Sequence, residues 1–200
     1  MELEVKGNPG QGNSFSENNF QHIDDYYQHA TVYKQERGTR FDAYFRRLRQ
    51  EIENHTTSDI IDELLDYKTQ TDGKKGLEEK LTDGGFPQSD IKWALRKKEQ
   101  YAKKATKYEC YPSAQEINLL LFADIKAKFD CYIKPLIKKG TDVTTVMQQT
   151  HEVIVEPLMQ LLNENGEHDE DLRYTTDHIY GMIYYLTGMC HLNWKDYDNV

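Results

Sequence analysis

Ile117, Leu120, Leu121, Ile125, Phe129, Tyr132, Ile133, Leu136 and Ile137 recur at spacings of three and four, which puts them along one face of an α-helix. A stripe that long must be buried against other secondary structure, and from residue 40 to the last helix no useful stretch alternates apolar and polar residues as a half-buried strand would. The partners of this helix must therefore be helices. The same period predicts a first helix from Phe41, Tyr44, Phe45, Leu48 and Ile52. A second follows from Ile60, Ile61, Leu64, Leu65 and Tyr67, behind a capping cluster of Thr56, Thr57, Ser58 and Asp59. A short helix from Leu77 to Leu81 ends at Gly84-Gly85. Ser89-Asp90 then caps a longer one with Ile91, Ala94, Leu95, Tyr101, Ala102, Ala105 and Tyr108 on its inner face. Pro112 and the box Ser113-x-x-Glu116 open the central helix. Asp142 starts another that runs through Leu162, and Thr175-Thr176-Asp177 start the last one, through Leu186. Pro135 and Pro157 fall inside apolar helical patterns, so each helix is expected to bend or stop there. The sum is an all-α bundle of about six to seven helices over residues 37–200.

Residues 1–36 read differently. The stretch GNPGQGNSFSENNFQ has no periodic face, and its Asn-Pro-Gly is a turn signal. The apolar residues of 1–36 are too sparse to enclose a core. The expectation is a short irregular or β-prone segment that orders on a partner.

Composition narrows the function classes. The chain has 25 Lys+Arg against 34 Asp+Glu, a formal charge of −9, which argues against general coating of nucleic acid. Its apolar fraction is only 38 %, yet 14 Tyr, 7 Phe and 2 Trp supply more aromatic surface than a disordered chain carries. No run approaches a membrane span and the N-terminus lacks a signal-peptide pattern, so a cytoplasmic protein without membrane contact is expected. Cys110, Cys131 and Cys190 are odd in number and widely spaced, which suits reduced thiols.

Chemistry-bearing patterns are weak. His151-Glu152 lacks the second imidazole of a zinc-protease helix, because position 155 is Val155. Asn163, Asn165, Glu167, Asp169 and Asp171 alternate like an EF-hand loop. Gly166 stands fourth and Tyr174 twelfth, however, so a solvated acidic loop with Gly166 ending the preceding helix is expected. His22, Asp25 and His29, and Cys190-His191 with another cysteine, lack ligand-motif support. Gly73-Lys74-Lys75-Gly76 is not a phosphate loop. No catalytic residue, metal or cofactor is assigned, and a non-enzyme is expected. Lys92, Arg96, Lys103 and Lys107 form a cationic stripe on one predicted helix. It reads as a solvated or acid-partner face, with phosphate contact as the alternative.

The densest cluster of unusual residues lies at 178–194. Gly181 and Gly188, seven apart, share a helical face with Tyr184 and Tyr185 between them; a glycine there lets another backbone approach, and Gly188 can equally cap the helix. Beyond it Cys190, Leu192 and Trp194 alternate with His191 and Asn193, as in a short extended end. This ending resembles that of the C-terminal domains of bacterial ABC-three-component conflict systems, with the pattern x-I-x-G-M-x-Y-x-L-T-G-x-C-H-x-x-W. Gly76-Leu-Glu-Glu-Lys-Leu, Gly84-Gly85-Phe86, Ile91 to Ala94, and Ser113-Ala114-Gln115 before Ile117 are similar in order and spacing, so the resemblance covers roughly 40–200. It implies an interaction domain that couples an effector to an ABC-type ATPase and an intermediate component in antiphage or mobile-element defence. Such domains generally follow a sizeable effector domain, whereas only about 40 residues precede this one, so the expectation is a separate adaptor subunit or an effector on another polypeptide. The expected partner surface is Gly181, Tyr184, Tyr185, Gly188, His191 and Trp194. A nucleic-acid-binding regulator using Lys92, Arg96, Lys103 and Lys107 is the alternative, and self-association stays open.

Overall fold

In a computed structural model, residues 40–69, 75–166 and 168–197 are described. They belong to the unit Gly38–Val200, and the expectations for residues 1–36 lie outside the described residues. Helices α1 (40–53), α2 (Asp62–Lys68), α3 (Leu77–Asp83), α4 (Gln88–Tyr108), α5 (Pro112–Lys128), α6 (Lys134–Lys138), α7 (Val143–Thr150), α8 (Glu156–Asn165) and α9 (Thr176–Gly188) follow one another, with no strand among the described residues. The all-α expectation holds. α5 runs through the middle, with Ala114, Ile117, Leu121, Phe122 and Ile125 fully covered. α4 lies along α9 in the most extensive helix pair.

Two of the predicted helix starts are local. The Asp142 carboxylate accepts the Thr145 N–H at 3.0 Å, and Thr175 and His178 cap one another's backbone at the start of α9. Other starts are held from a distance. α2 begins at Asp62, beyond the Thr56–Asp59 cluster, with Ile61 as a cap that has no side-chain bond. Its free end is secured by buried Gln115 of α5. Gln115 Oε1 accepts the Ile61 N–H at 2.9 Å, while Nε2 donates to the Asp59 and Glu109 carbonyls at 3.1 and 2.8 Å. The box expected at Ser113 and Glu116 is replaced likewise. Ser113 donates its N–H and hydroxyl to the Glu51 carboxylate of α1 at 2.9 and 2.7 Å. A carboxylate suits the positive end of α5, whichever helix supplies it. α4 starts after Pro87, and Ser89 turns to Asp90 instead of capping.

The prolines neither stop their helices nor leave them regular. A π-helical turn, Phe129–Ile133, joins α5 to α6, and another, His151–Val155, joins α7 to α8. The Lys134 N–H bonds to the Phe129 carbonyl and the Glu156 N–H to that of His151, five residues back in each case. A proline one residue later lacks an N–H and would strike the carbonyl one turn behind it, and a wider turn makes the room. The extra residue also rotates the register. Phe129 and Ile133 stay buried, whereas Tyr132, expected in the apolar stripe, is 59 % exposed.

Candidate interaction site

The family-like segment folds as α9 and a tail. Ile179, Met182, Ile183, Leu186 and Thr187 are fully buried. A Cβ on Gly181 would lie 2.5 Å from the Lys97 carbonyl oxygen and 2.6 Å from Tyr101 Cβ, so the α4 and α9 backbones touch there. At Gly188 a Cβ would meet Lys98 Nζ at 2.8 Å. The ammonium thus lies against the negative end of α9. Gly188 is not the cap: the left-handed residue is Cys190, at φ 69°. The Cys190 N–H donates to the Thr187 carbonyl at 3.1 Å and the His191 N–H to that of Leu186 at 2.9 Å, a Schellman pattern that turns the tail back along the bundle.

In the tail Cys190, Leu192 and Trp194 face inward while His191 and Asn193 are half-buried, as the alternation predicts. The Trp194 Nε1–H donates to Thr187 Oγ1 at 3.0 Å, and the Thr187 hydroxyl donates to the Ile183 carbonyl at 2.9 Å. Phe86 and Phe129 meet the indole edge-on, both with centroids at 5.1 Å. A Cβ on Gly84 would lie 2.7 Å from Trp194 Cβ, so α3 closes directly on the tail.

The residues of the expected partner surface fall into two groups. Tyr184 and Trp194, at 1 % and 3 % exposure, are core residues together with buried Gly181, because α4, α3 and the π turn at Phe129 already cover them. Burial holds the Tyr184 phenol well above its ordinary pKa. Tyr185, Gly188 and His191 are half-buried. Tyr185 stacks on Phe122 at 5.8 Å and lines a cavity of about 60 Å³ with Leu64, Tyr101, Gln115 and Asn118. Asn118 Oδ1 accepts the hydroxyls of both Tyr101 and Tyr174 at 2.9 Å. His191 lies against the Tyr67 ring at 5.3 Å, and burial lowers its pKa. A larger cavity, about 180 Å³, borders Trp194 beside Phe86, Ile137 and Val146.

The α4 stripe is placed as expected, with Lys92, Arg96, Lys103 and Lys107 all exposed. The remaining lysines of α4 turn to neighbours. Lys97 is buried, pairs with Asp177 of α9 at 2.6 Å and lies over the Trp93 ring at 5.5 Å. Lys104 donates to the Leu172 carbonyl, and burial lowers its pKa. Trp93 meets Tyr180 and Tyr184 of α9 edge-on, at 5.1 and 5.8 Å. Leu95, assigned from the sequence to the inner face, is 38 % exposed. Trp93 and Gln115 stand inside the family-like motifs with no role assigned to them from sequence, and Asn118 is not singled out there at all. A polar amide inside an apolar run, as in Ile117-Asn118-Leu119, was the available signal for the last.

Gly166 ends α8 as expected, and in the acidic loop the Asp169 carboxylate accepts the Leu172 and Arg173 N–H groups at 2.8 and 2.7 Å. Burial raises its pKa. His151 Nδ1 and the Tyr180 hydroxyl are 3.1 Å apart. Among the described residues no three His, Cys, Asp or Glu side chains are grouped to hold a metal, and no helix is long and apolar enough to cross a membrane.

No curated protein and no solved structure matches the chain. A family model does, that of C-terminal domain 9 of the ABC-three component (ABC-3C) systems, over residues 76–194. The match runs from the cap of α3 to Trp194, the two ends that close on one another at Gly84, and it spans more than half of the chain. The chain belongs to this family of ABC-three-component C-terminal domains.

Proposed function

We propose that the chain is a non-enzymatic adaptor of a bacterial ABC-three-component defence system, which couples an effector to an ABC-type ATPase through protein contacts. The observation that carries this reading is membership of a domain family defined by such multi-component systems. The way its motif is used supports it further. Ile179, Gly181, Met182, Tyr184, Leu186, Thr187 and Trp194 build the α9 core and its tail, a scaffold that presents the outer faces of α4 and its neighbours. The partners are then the other components of the system, met in the cytoplasm.

Co-expression of the full chain with the ATPase and the remaining components of its system tests this. A complex that survives size-exclusion chromatography is expected. Absence of any complex with every component present defeats it. The nucleic-acid alternative rests on the exposed stripe Lys92, Arg96, Lys103 and Lys107 and is tested by titrating duplex DNA at two salt concentrations. Phosphate contacts would make affinity fall steeply between them.

A further inference from the structure

The cations of α4 divide into two groups. Lys97, Lys103, Lys104 and Lys107 are tied to Asp177, Glu99, the Leu172 carbonyl and the Tyr108 hydroxyl. Lys98 lies against the end of α9 at Gly188. Lys92 and Arg96 alone on this helix have no partner among the described residues, and both are exposed. They are four residues apart, hence on one face, and Leu95 completes that face at 38 % exposure. Two uncompensated cations beside a partly exposed leucine are conspicuous in a chain of net charge −9. α4 is 21 residues long, about 31 Å, and its opposite side is anchored along α9, so the ridge is rigid before anything binds it.

We propose that the Lys92, Leu95 and Arg96 face of α4 docks an acidic amphipathic helix belonging to another component of the system. The inference rests on the adaptor reading and gives it a surface. A helix with carboxylates one turn apart beside an apolar residue matches all three side chains at once, since Arg96 can grip a carboxylate through two parallel hydrogen bonds while Leu95 is covered. Phosphates would match the two cations but leave the leucine bare. That difference favours a protein partner.

The test uses the full chain co-expressed with its system. The double change Lys92→Glu, Arg96→Glu and the single change Leu95→Ser should each weaken the complex at least tenfold. The helical content should stay unchanged throughout, and the melting temperature unchanged for the exposed charge pair and only slightly lower for Leu95→Ser, since Leu95 is 38 % exposed. The same charge change at exposed Lys134 and Lys139, Lys134→Glu with Lys139→Glu, should have little effect. Equal weakening by this control, or a complex indifferent to the α4 changes, overturns the surface and leaves the adaptor reading standing. A wild-type chain that forms no complex overturns both. If Lys92→Glu, Arg96→Glu abolishes DNA binding while the protein complex persists, the face is a phosphate site and this inference is wrong.

Discussion

Gly181→Ala sets two physical effects of opposite sign against each other. In an exposed helix the change would stabilise by about 1 kcal/mol, because alanine is the better helix former. Here the new methyl would lie 2.5 Å from the Lys97 carbonyl oxygen, where ordinary contact begins at 3.4 Å. The gap must open by about an ångström. The obstructing atom is backbone and cannot rotate away, so α4 and α9 must part and loosen the packing of Tyr101 and Met182. Overpacking of this kind costs about 1–3 kcal/mol, and a rigid obstacle belongs at the upper end. Subtracting the propensity gain leaves a net loss of about 2 kcal/mol, or a melting temperature lower by about 4–8 °C for a chain of this size. Urea unfolding followed by circular dichroism should show an earlier midpoint with an unchanged slope. Gly76→Ala is the steric control, since nothing lies within 4 Å of its Cβ; it loses only glycine's advantage over alanine as the N-cap of α3, and should cost no more than about 1 kcal/mol. A Gly181→Ala chain as stable as the wild type, or more so, refutes the close-approach argument.

Trp194→Ala should cost about 3–5 kcal/mol, as truncation of a buried tryptophan does, and should weaken association only where the fold itself is lost; weaker association at intact stability would return Trp194 to an interface. Gln115→Ala leaves the Ile61 N–H and the Asp59 and Glu109 carbonyls without their side-chain partner, so a loss of about 2–4 kcal/mol and faster hydrogen exchange at Ile61 are expected. Unchanged exchange would show that α2 does not depend on that amide. The pH response follows from His178, whose pKa is lowered from its ordinary 6.5 chiefly by burial, then by Lys104 and Lys97, against the opposing pull of Asp177. Its Nδ1 accepts the Thr175 N–H at 3.1 Å, so the bond requires an unprotonated nitrogen. The unfolded chain therefore binds the proton first, and stability is complete above pH 6.5 and falls as pH drops below it. His178→Gln can keep the capping bond and should reduce the slope below pH 6.5; an identical slope would clear His178.

The helices were legible because amphipathic periodicity is a local record of burial. Phe41, Phe45 and Leu48, or Ile117, Leu121 and Ile125, can share a covered face only as helices, and they do. Asp142 and Thr175 were legible for the same reason, since each cap satisfies an N–H two or three residues away. Ser113, Ser89 and the Thr56–Asp59 cluster misled because their cap chemistry is generic. The groups that secure the starts of α2 and α5 are Gln115 and Glu51, more than 50 residues distant, and no short window of sequence holds both partners. Tyr132 and Leu95 were misplaced by another cause: a π turn shifts the register by one residue, and α4 meets α9 along a narrower strip than its apolar residues suggest.

The glycines and aromatics of 178–194 were visible as unusual from sequence, but their direction was not. Sequence alone determined that this chain forms amphipathic helices after residue 40, that their caps sit at Asp142 and Thr175, and that the tail alternates. Whether Trp194 and Tyr184 face a partner or their own bundle depended on α3 and α4 coming within contact at Gly84 and Gly181. That is a property of backbones brought together from opposite ends of the domain. Exposure of a side chain is set by what the rest of the chain leaves uncovered, and so only the tertiary structure could show that Tyr184 and Trp194 are covered while Lys92, Leu95 and Arg96 are exposed.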